Sequence, residues 1–480
     1  MIPLSTRLCY GIGGAVGAIK EAAYIVFILL FYTQVLGLSG TVTGTVIAVS
    51  LVWDGISDPL VGSLSDRLRS RYGRRHPFMA LSILPLGLGF IGLFSPPQTV
   101  IENSTWLAGW LLFWSLWVRT FATTFVIPHL ALSAEITSDY HGRTQILGAR
   151  MGFMFLCAVL LPALALTLIF PEQDGVDGRF DPSRYPLYGL LSCAVVWVLA
   201  TLSTLGTRRH IRAEVEHPGG SDTSRTTPFA LFADLRLTLS NRNFRLLIGY
   251  DIAATTAYGV ISTLNILVWT FFWSFSSTEI SIIMAAPTLL GVGLAISTLG
   301  PLGRRFSKQR LVQLSLAGLI LNCLWLYPLQ LFGWLPANSD TLVLALNFIF
   351  MLIFMYFFMV RVVSSTSIVA DLTDEHELDH GLRQEAGFFS VINFVSKLAT
   401  IAGPLYGGLA LDIIGLETGM RPGDVPVETL HGLVYALGLG VVPPLLVALW
   451  IISRVATSQA HVEAVQAKIA ARHQRRQSNI

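Results

Sequence analysis

The sequence predicts an all-α membrane protein whose twelve transmembrane helices form two pseudo-symmetric halves of six helices each. Of the 480 residues, 53% are hydrophobic and 13% are charged, whereas soluble domains carry about 25% charged residues. The mean hydropathy is +0.63. Apolar runs of roughly 20 residues, the length of helix that crosses a bilayer, recur along the chain. These observations exclude a soluble globular domain.

Hydropathy divides the chain into predicted spans, whose boundaries are given to within a few residues. They are centred near 8–36, 42–65, 77–95, 105–134, 144–170, 186–206, 244–273, 280–300, 310–333, 341–370, 386–415 and 430–453. Several of these runs exceed the minimum needed to cross the hydrocarbon core, which indicates helices that tilt or extend beyond the membrane.

The distribution of basic residues predicts the orientation, because cytoplasmic loops are enriched in Lys and Arg. Arginines crowd the loops after spans two and eight, at 67–75 and 304–310, and the stretch after span six. The opposite loop at 36–41 has no basic residue, and that at 171–185 is mainly acidic. We therefore expect a multi-pass protein of a bacterial inner membrane with both termini in the cytoplasm.

A polar stretch near the middle of the chain indicates a linker between the halves, since it contains Pro and Gly and lacks apolar periodicity. The predicted domains are an N-terminal six-helix bundle at 1–206, a cytoplasmic linker at 207–242, a C-terminal six-helix bundle at 243–454 and a basic cytoplasmic tail at 455–480. Residues 300–305, after span eight, resemble residues 62–75, after span two, in their Gly and Arg residues. This similarity supports a parallel repeat. The tail is either an amphipathic helix at the membrane surface or a solvated extension.

Two carboxylates inside the second span are the strongest functional signal. Asp54 and Asp58 are four residues apart, so on a helix they share a face one turn apart. An ionised carboxylate at bilayer depth costs about 2.5–3.5 kcal/mol even on the mildest insertion scale, so such groups normally mark an ion path. We expect a site for a monovalent cation. The alternative is a salt bridge to a basic residue of a neighbouring helix.

The end of the second span carries a second charged group. Asp66 and Arg67 are followed by Arg74 and Arg75, and we expect them to form ion pairs that break and reform as a conformational gate. The alternative interpretation, ordinary positive charge of a cytoplasmic loop, explains the arginines and leaves Asp66 unexplained.

Charged residues in the first and eleventh spans are candidate substrate contacts. Lys20 and Glu21 are adjacent, so their side chains point about 100° apart and only one can face a given partner. Lys397 is a buried ammonium that needs a counter-charge, for which Asp54 or Asp58 is the natural candidate. Cation binding and Lys397 would then compete for the same carboxylates. The alternative is a static salt bridge between Lys397 and one of the two acids.

Further intramembrane polar groups are Arg119, His129 and Arg150. Arg150 is a candidate to bind a hydroxyl or an anionic group. His129 is a candidate substrate contact, although a lone histidine in a membrane helix is more often a hydrogen-bonded packing residue.

Near the ends of their spans, Asp251, Arg361 and Glu135 are expected to pair at a gate. The sequence contains no Gly-rich nucleotide loop, so ATP-driven transport is not expected.

The segment Trp53-Asp54-Gly55-Ile56-Ser57-Asp58-Pro59-Leu60-Val61-Gly62, with the residues Gly73-Arg74-Arg75-His76-Pro77-Phe78, resembles the signature of the glycoside-pentoside-hexuronide:cation symporters. This melibiose permease-like family is a branch of the major facilitator superfamily. Its other landmarks are similar to Tyr10-Gly11, Ile127-Pro128 and residues 381–389 leading to Lys397. The resemblance covers nearly the whole chain and implies the major facilitator fold.

By this resemblance, Asp54 and Asp58 match the cation-site acids of the family, Lys397 its span-eleven lysine, Arg150 an arginine near the sugar, and Glu21 an acid that holds sugar hydroxyls. The chain departs from the family at two positions. Val126 stands where sugar-transporting members carry an aspartate, and Leu130 stands where they carry a tryptophan. Sodium-coupled lysophospholipid transporters in the same broad family resemble this chain in keeping the acids and the lysine.

We therefore expect a transporter, not an enzyme, that couples Na⁺ or H⁺ to the symport of a small glycoside or sugar, with Na⁺ as the first choice. The alternative is a sodium-coupled transporter of a lysolipid or another amphiphile. A third hypothesis is a non-transporting sensor or scramblase, against which the retained acids and Lys397 argue. The expected partners are a small-molecule substrate and the lipid bilayer. We expect no cofactor beyond the coupling ion, no nucleic acid, and a monomer.

Overall fold

The structure, a computed structural model, describes residues 2–68, 70–137, 140–173, 177–210, 241–336, 338, 340–380, 385–455 and 468. Within these residues, twelve helices are long and apolar enough to cross a membrane, as the sequence predicts. Their bounds are α1 Leu4–Val35, α2 Gly40–Arg67, α3 His76–Phe94, α4 Ser104–Ile136, α5 Tyr140–Leu168, α6 Tyr185–Gly206, α7 Arg242–Phe272, α8 Ser277–Arg305, α9 Lys308–Leu331, α10 Thr341–His380, α11 Glu385–Thr400 with Ala402–Ile413, and α12 Val427–Ile452.

The described residues form two compact units, and each is considered by itself. The first takes its residues from Met1–Asp222, Ser262–Ala285 and Pro404–Leu433, and the second from Thr223–Ile261, Ala286–Gly403 and Val434–Ile480. The first unit thus contains α1 to α6 with the adjoining ends of α7 and α8 and of α11 and α12. Most of the predicted linker at 207–242 and of the predicted tail at 455–480 lies outside the described residues, and the predicted domain boundaries stay a prediction.

Small residues allow helix α1 to pack closely against its neighbouring helices. A Cβ atom added to Gly14 would lie 2.5 Å from the backbone oxygen of Arg150, so only glycine lets α1 approach α5 this closely. Gly13 faces His129 and Ser203 at similarly short distances, with 2.3 Å to His129 Nε2. Such close backbone approach is the usual role of small residues in membrane helices, because lipid supplies no hydrophobic force that drives helices together.

Helices α1 and α7 end in the same way. Each widens in its last turn, where Leu36 N–H donates to Phe31 O at 2.9 Å and Trp273 N–H donates to Val268 O at 3.0 Å, both five residues back. Such π-helical turns are rare. Their presence in the first helix of each predicted half agrees with the repeat that the sequence suggests.

The first turn of α2 is fixed by a carboxylate from α11 within the first unit. Asp412 accepts hydrogen bonds from the backbone of Gly40 at 3.0 Å, from the backbone of Thr41 at 2.9 Å and from the Ser39 hydroxyl at 2.9 Å. These bonds satisfy N–H groups that a helix start leaves unpaired, and the negative charge suits the helix dipole. The backbones also touch, since a Cβ on Gly40 would lie 2.7 Å from Gly408 O.

Replacing Gly14 with alanine tests the packing of α1 on α5. We expect Gly14→Ala to cost about 1–3 kcal/mol of stability, because the added methyl group overlaps the Arg150 backbone. Gly17→Ala on the same helix is the matched control, since a Cβ there meets only Val126 Cγ2 at 3.6 Å. Thermal unfolding of both purified variants, followed by tryptophan fluorescence, compares them. Equal melting temperatures would contradict the close contact.

Candidate functional site

The middle of α2 carries a buried carboxylate that two cations hold. Asp54 Oδ2 lies 2.9 Å from Lys20 Nζ on α1 and 3.0 Å from Arg119 Nη1 on α4. All three side chains are buried, and Arg119 is only 1% exposed. Their mutual attraction offsets the loss of hydration, which an isolated charge at this depth could not recover. The two ion pairs join three helices of the first unit at a single point.

Helices α2 and α4 present their polar groups with the same spacing. Asp54 and Asp58 are four residues apart on α2, and Arg119 and Thr123 are four residues apart on α4. Arg119 reaches Asp54, and one turn along the Thr123 hydroxyl donates to Asp58 Oδ1 at 2.9 Å. One turn before Asp54, the Ser50 hydroxyl accepts from Arg119 Nε at 2.7 Å. The two helix faces are therefore in register over two turns.

The Thr123 hydroxyl lies between the two carboxylates, 2.9 Å from Asp58 Oδ1 and 3.3 Å from Asp54 Oδ1. A hydroxyl has one donor and two acceptor lone pairs, so it can also act as a ligand. Among the described residues, no group of three or more His, Cys, Asp or Glu side chains could hold a metal ion. A monovalent cation at this point would therefore be bound by carboxylate and hydroxyl oxygens, the hard ligands that suit Na⁺.

The side chains of the neighbouring residues Lys20 and Glu21 point in different directions, as expected for adjacent positions on a helix. Lys20 points to Asp54, whereas the Glu21 side chain is 52% exposed, with its Oε1 at 3.1 Å from Lys20 Nζ. On the next turn of α1, Tyr24 places its ring 4.4 Å from the Arg119 guanidinium in a cation–π contact. Glu21 is thus the most accessible carboxylate of the group.

Arg150 on α5 is buried, at 6% exposed, and its Nε forms no hydrogen bond with a described residue. A guanidinium has five N–H donors in a planar fork, which suits bidentate binding of a carboxylate, a phosphate or neighbouring hydroxyls. The predicted role of Arg150 in binding a substrate stays a prediction, and this geometry is compatible with it.

His129 has the contacts of a packing residue. Its ring stacks on Tyr10 at 4.4 Å between centroids and on Phe125 at 5.6 Å. Its Nε2 lies 3.0 Å from the backbone oxygen of Tyr10, and the side chain is 1% exposed. A substrate contact of His129 stays a prediction, and the structure gives the residue a structural task in holding α4 to α1.

A second charged group, called here the Arg75 cluster, consists of Asp66, Arg74, Arg75 and Glu135. Arg75 Nη2 pairs with Asp66 Oδ1, and Arg75 Nε lies 3.1 Å from Glu135 Oε1, which Arg74 Nη2 approaches to 3.6 Å. The cluster joins the ends of α2 and α4 to the start of α3. The fourth predicted gating residue, Arg67, is exposed and forms no ion pair with a described residue. The gating role itself stays a prediction.

Lys397 lies on α11 in the second unit, whereas Asp54 and Asp58 lie in the first. Next to it, the Ser396 hydroxyl donates to the Asp251 carboxylate of α7. The competition of Lys397 with a cation for the acids of α2 stays a prediction. Asp54 has two cationic partners on α1 and α4, so its charge is balanced within the first unit.

Thr123 is the site residue that hydropathy and charge do not single out, since threonine is common in apolar helices. The sequence shows Arg119 as an intramembrane charge but does not show that its partner is Asp54. The sequence signal that could have indicated this pairing is spacing, because the interval from Arg119 to Thr123 equals that from Asp54 to Asp58. Two helices with matching polar intervals can pair their polar faces over successive turns.

The twelve long apolar helices within the described residues have the arrangement of the major facilitator fold. The solved structure of the nucleoside transporter NupG has this fold, with a TM-score of 0.63 at 14% identity, and the match covers 95% of this chain and 100% of that chain.

The family profile described as MFS/sugar transport protein matches residues 9–456, and the chain belongs to this family. The putative glycoside/cation symporter YagG of Escherichia coli is 24% identical over 478 residues, 98% of this chain and 95% of that protein. The uncharacterized symporter sll1374 of Synechocystis is 28% identical over 205 residues, which are 42% of this chain and 38% of that protein. The sodium-dependent lysophosphatidylcholine symporter 1-A of Danio rerio is 29% identical over 147 residues, 30% of this chain and 27% of that protein.

These similarities confirm the resemblance to glycoside-pentoside-hexuronide:cation symporters and the expectation of a transporter rather than an enzyme.

Removing Arg119 tests the ion pairs at Asp54. Arg119→Met takes one of two counter-charges from a buried carboxylate, and we expect a loss of about 3–5 kcal/mol. The double variant Asp54→Asn with Arg119→Met removes the stranded charge, so it should be more stable than the single variant. Unfolding midpoints of the wild type, both single variants and the double variant complete the cycle. A double variant less stable than Arg119→Met would contradict the pairing.

The Arg75 cluster is tested by two substitutions in the same loop region. Arg75→Ala removes the shared partner of Asp66 and Glu135, while Arg74 stays close to Glu135. Hydrogen bonds to charged groups contribute about 1.5–3 kcal/mol each. We expect a clear fall in melting temperature. Arg67→Ala is the matched control and should change stability by no more than about 0.5 kcal/mol, as exposed substitutions usually do. The same fall for both variants would show that the cluster adds no stability beyond general loop charge.

Proposed function

We propose that this protein is a secondary active transporter that couples the entry of Na⁺ or H⁺ to the symport of a small glycoside or sugar by alternating access. The observation that carries the proposal is the pair of acids on α2, Asp54 and Asp58, joined through Thr123. Membrane-buried carboxylates mark ion and proton paths. Membership of a family described as MFS/sugar transport protein supports a sugar as the class of substrate.

Oxygen ligands support a cation beside the acid pair. Asp58 Oδ1 lies 2.9 Å and Asp54 Oδ1 lies 3.3 Å from the Thr123 hydroxyl oxygen. Carboxylate and hydroxyl oxygens are hard ligands that suit Na⁺, and a carboxylate can also take up a proton. Binding or release of the cation changes the local charge, an effect that is larger in a low-dielectric interior than in water.

Helix α2 is the element that would transmit the change. Its middle holds the acid pair, its first turn is bound by Asp412, and its last turn carries Asp66 of the Arg75 cluster. Opening at the first turn requires the Asp412 hydrogen bonds to break, and opening at the last turn requires the cluster to rearrange. We place the Asp412 end outside and both termini in the cytoplasm of a bacterial inner membrane, in accord with the arginine distribution, and we propose a monomer.

A second candidate is the transport of an amphiphile such as a lysolipid. It is supported by the partial similarity to a lysophosphatidylcholine symporter and by the apolar residues Val126 and Leu130 on α4. Leu130 is 40% exposed, and no charged group replaces the aspartate expected at Val126. Sugar transport remains the first candidate because the similarity to YagG extends over 98% of the chain.

The proposal predicts that Asp58→Asn uncouples transport. In proteoliposomes, wild-type protein should accumulate a glycoside against its gradient when Na⁺ or H⁺ flows inward. The variant should lose this accumulation, because its amide carries no negative charge to attract Na⁺ and does not take up a proton. Exchange of internal for external substrate, which needs no net cation movement, should persist. Asp424→Asn in an exposed loop is the control and should transport as the wild type does.

Separate imposed gradients of Na⁺ and of pH identify the coupling ion, and parallel assays with a lysolipid test the second candidate. Full accumulation by Asp58→Asn would remove the coupling role of this residue. Cation-independent movement of every substrate in the wild type would overturn the proposed symport and favour a scramblase.

A further inference from the structure

Lys20 is shared between two acids with different surroundings. Its Nζ lies 2.9 Å from Asp54 Oδ2 on α2 and 3.1 Å from Glu21 Oε1 on its own helix. The Asp54 side chain is 5% exposed, whereas the Glu21 side chain is 52% exposed. A single ammonium therefore joins a buried acid of the candidate cation site to an acid that a solute can reach.

Arg119, the other cation at Asp54, is held by more contacts. Its Nη1 donates to Asp54 Oδ2 at 3.0 Å, its Nε donates to the Ser50 hydroxyl at 2.7 Å, and its guanidinium lies over the Tyr24 ring. These contacts fix a planar group in one orientation, whereas a lysine ammonium is a compact charge on a flexible stem. Of the two cations, Lys20 is the one that can move away from Asp54.

Such a movement would leave no ion without a partner. Lys20 would keep Glu21 as its counter-charge, and Asp54 would keep Arg119. Breaking a buried ion pair is costly mainly because it leaves one charge uncompensated. Since both charges stay paired here, Lys20 can exchange Asp54 for another partner at low cost.

The backbone of α1 is irregular directly after this pair. The α-helical part of α1 ends at Ala22, and residues Ala23–Ile28 form a π-helical turn. Such turns are rare and frequently lie at functional sites. The irregular turn is an independent indication that Lys20 and Glu21 have a task beyond packing.

We propose that Lys20 couples the binding of substrate at Glu21 to the binding of a cation at Asp54. A substrate hydroxyl that donates to Glu21 also offers oxygen lone pairs to the Lys20 ammonium. Lys20 then turns from Asp54 to the substrate, and Asp54 is left with more negative charge for a cation. This inference rests on the proposed symport and deepens it by naming the residue that links the two sites.

The coupling acts in both directions. A cation at Asp54 repels the ammonium of Lys20 and displaces it towards Glu21, where it is available as a donor to the substrate. Cation and substrate thus favour the same arrangement, in which Lys20 has left Asp54. Each ligand must then raise the affinity for the other by the same factor.

The first test measures Na⁺ binding to the purified full-length protein by calorimetry. Lys20→Met removes the competitor for Asp54, so we expect Na⁺ to bind at least about fivefold more tightly than to the wild type. Lys20→Arg keeps the positive charge and should stay within about twofold of the wild type. A purely structural role of Lys20 predicts the opposite for Lys20→Met, because disruption of the site would weaken Na⁺ binding.

A double-mutant cycle tests the link to Glu21. Glu21→Gln leaves Asp54 as the acidic partner of Lys20, so Na⁺ binding should weaken at least about threefold. In the Lys20→Met background, the same substitution should change the Na⁺ affinity by less than about 1.5-fold. An equal effect in both backgrounds would show that Glu21 acts on the cation directly, and it would overturn the role of Lys20.

The substrate side is tested with methyl β-glucoside as the probe. We expect Na⁺ to tighten its binding to the wild type at least about tenfold, and to Lys20→Met by less than about twofold. The ratio of the affinities with and without Na⁺ is the readout, because the loss of Lys20 as a direct contact changes both affinities alike. Lys20→Arg should recover part of the ratio.

The outcomes separate this inference from the proposed function. Full coupling in Lys20→Met, or absence of Na⁺ binding to both this variant and the wild type, would overturn the inference and leave symport driven by a pH gradient standing. Because Glu21 is exposed, Glu21→Gln keeps the test available if Lys20→Met folds poorly, and an unchanged Na⁺ affinity in Glu21→Gln would overturn the link. Glycoside uptake that neither a Na⁺ nor a pH gradient drives would instead overturn the proposed symport.

Discussion

The carboxylate of Asp54 is the constraint on which the first unit depends. It cannot lie at this depth without cations, and Lys20 and Arg119 reach it from α1 and α4 at 2.9 and 3.0 Å. Because the charges have been taken out of water together, moving any one of the three helices away would strand an ion in a medium that solvates it poorly. The position of α2 between α1 and α4 is therefore tied to electrostatics as well as to packing.

This arrangement makes α2 responsive to a second charge. Asp58 lies one turn from Asp54 and shares the Thr123 hydroxyl with it, so a change of charge at Asp58 also changes the hydrogen bonding of Asp54. Charge interactions at Asp54 are stronger than in water because this side chain is buried. The same helix carries Asp66 in the Arg75 cluster at its last turn. The acid pair and the contacts at the two ends thus belong to one helix, α2.

Buried charged side chains have different surroundings in the two units. In the first, Asp54 and Asp58 have basic or hydroxyl partners on neighbouring helices, and Glu21 pairs with Lys20 on its own helix. In the second, Arg361 and Asp251 line one cavity and interact electrostatically, while Arg361 donates to the Tyr250 hydroxyl and Asp251 accepts from the Ser396 hydroxyl. Closely paired charges stabilise a fold, and charged groups that line a cavity are also accessible to a ligand.

The sequence by itself determined the twelve spans, the expensive pair Asp54 and Asp58, and the charged residues at the end of α2, because hydropathy and helix periodicity are local properties of the chain. Only the tertiary structure decided the partners. Lys20 and Arg119 are 34 and 65 residues from Asp54, and nothing local distinguishes them from Lys397 as its counter-charge. Likewise, Asp251 and Arg361 are visible as intramembrane charges, but whether they pair or face a cavity depends on how α7, α10 and α11 pack, which is a property of distant segments brought together.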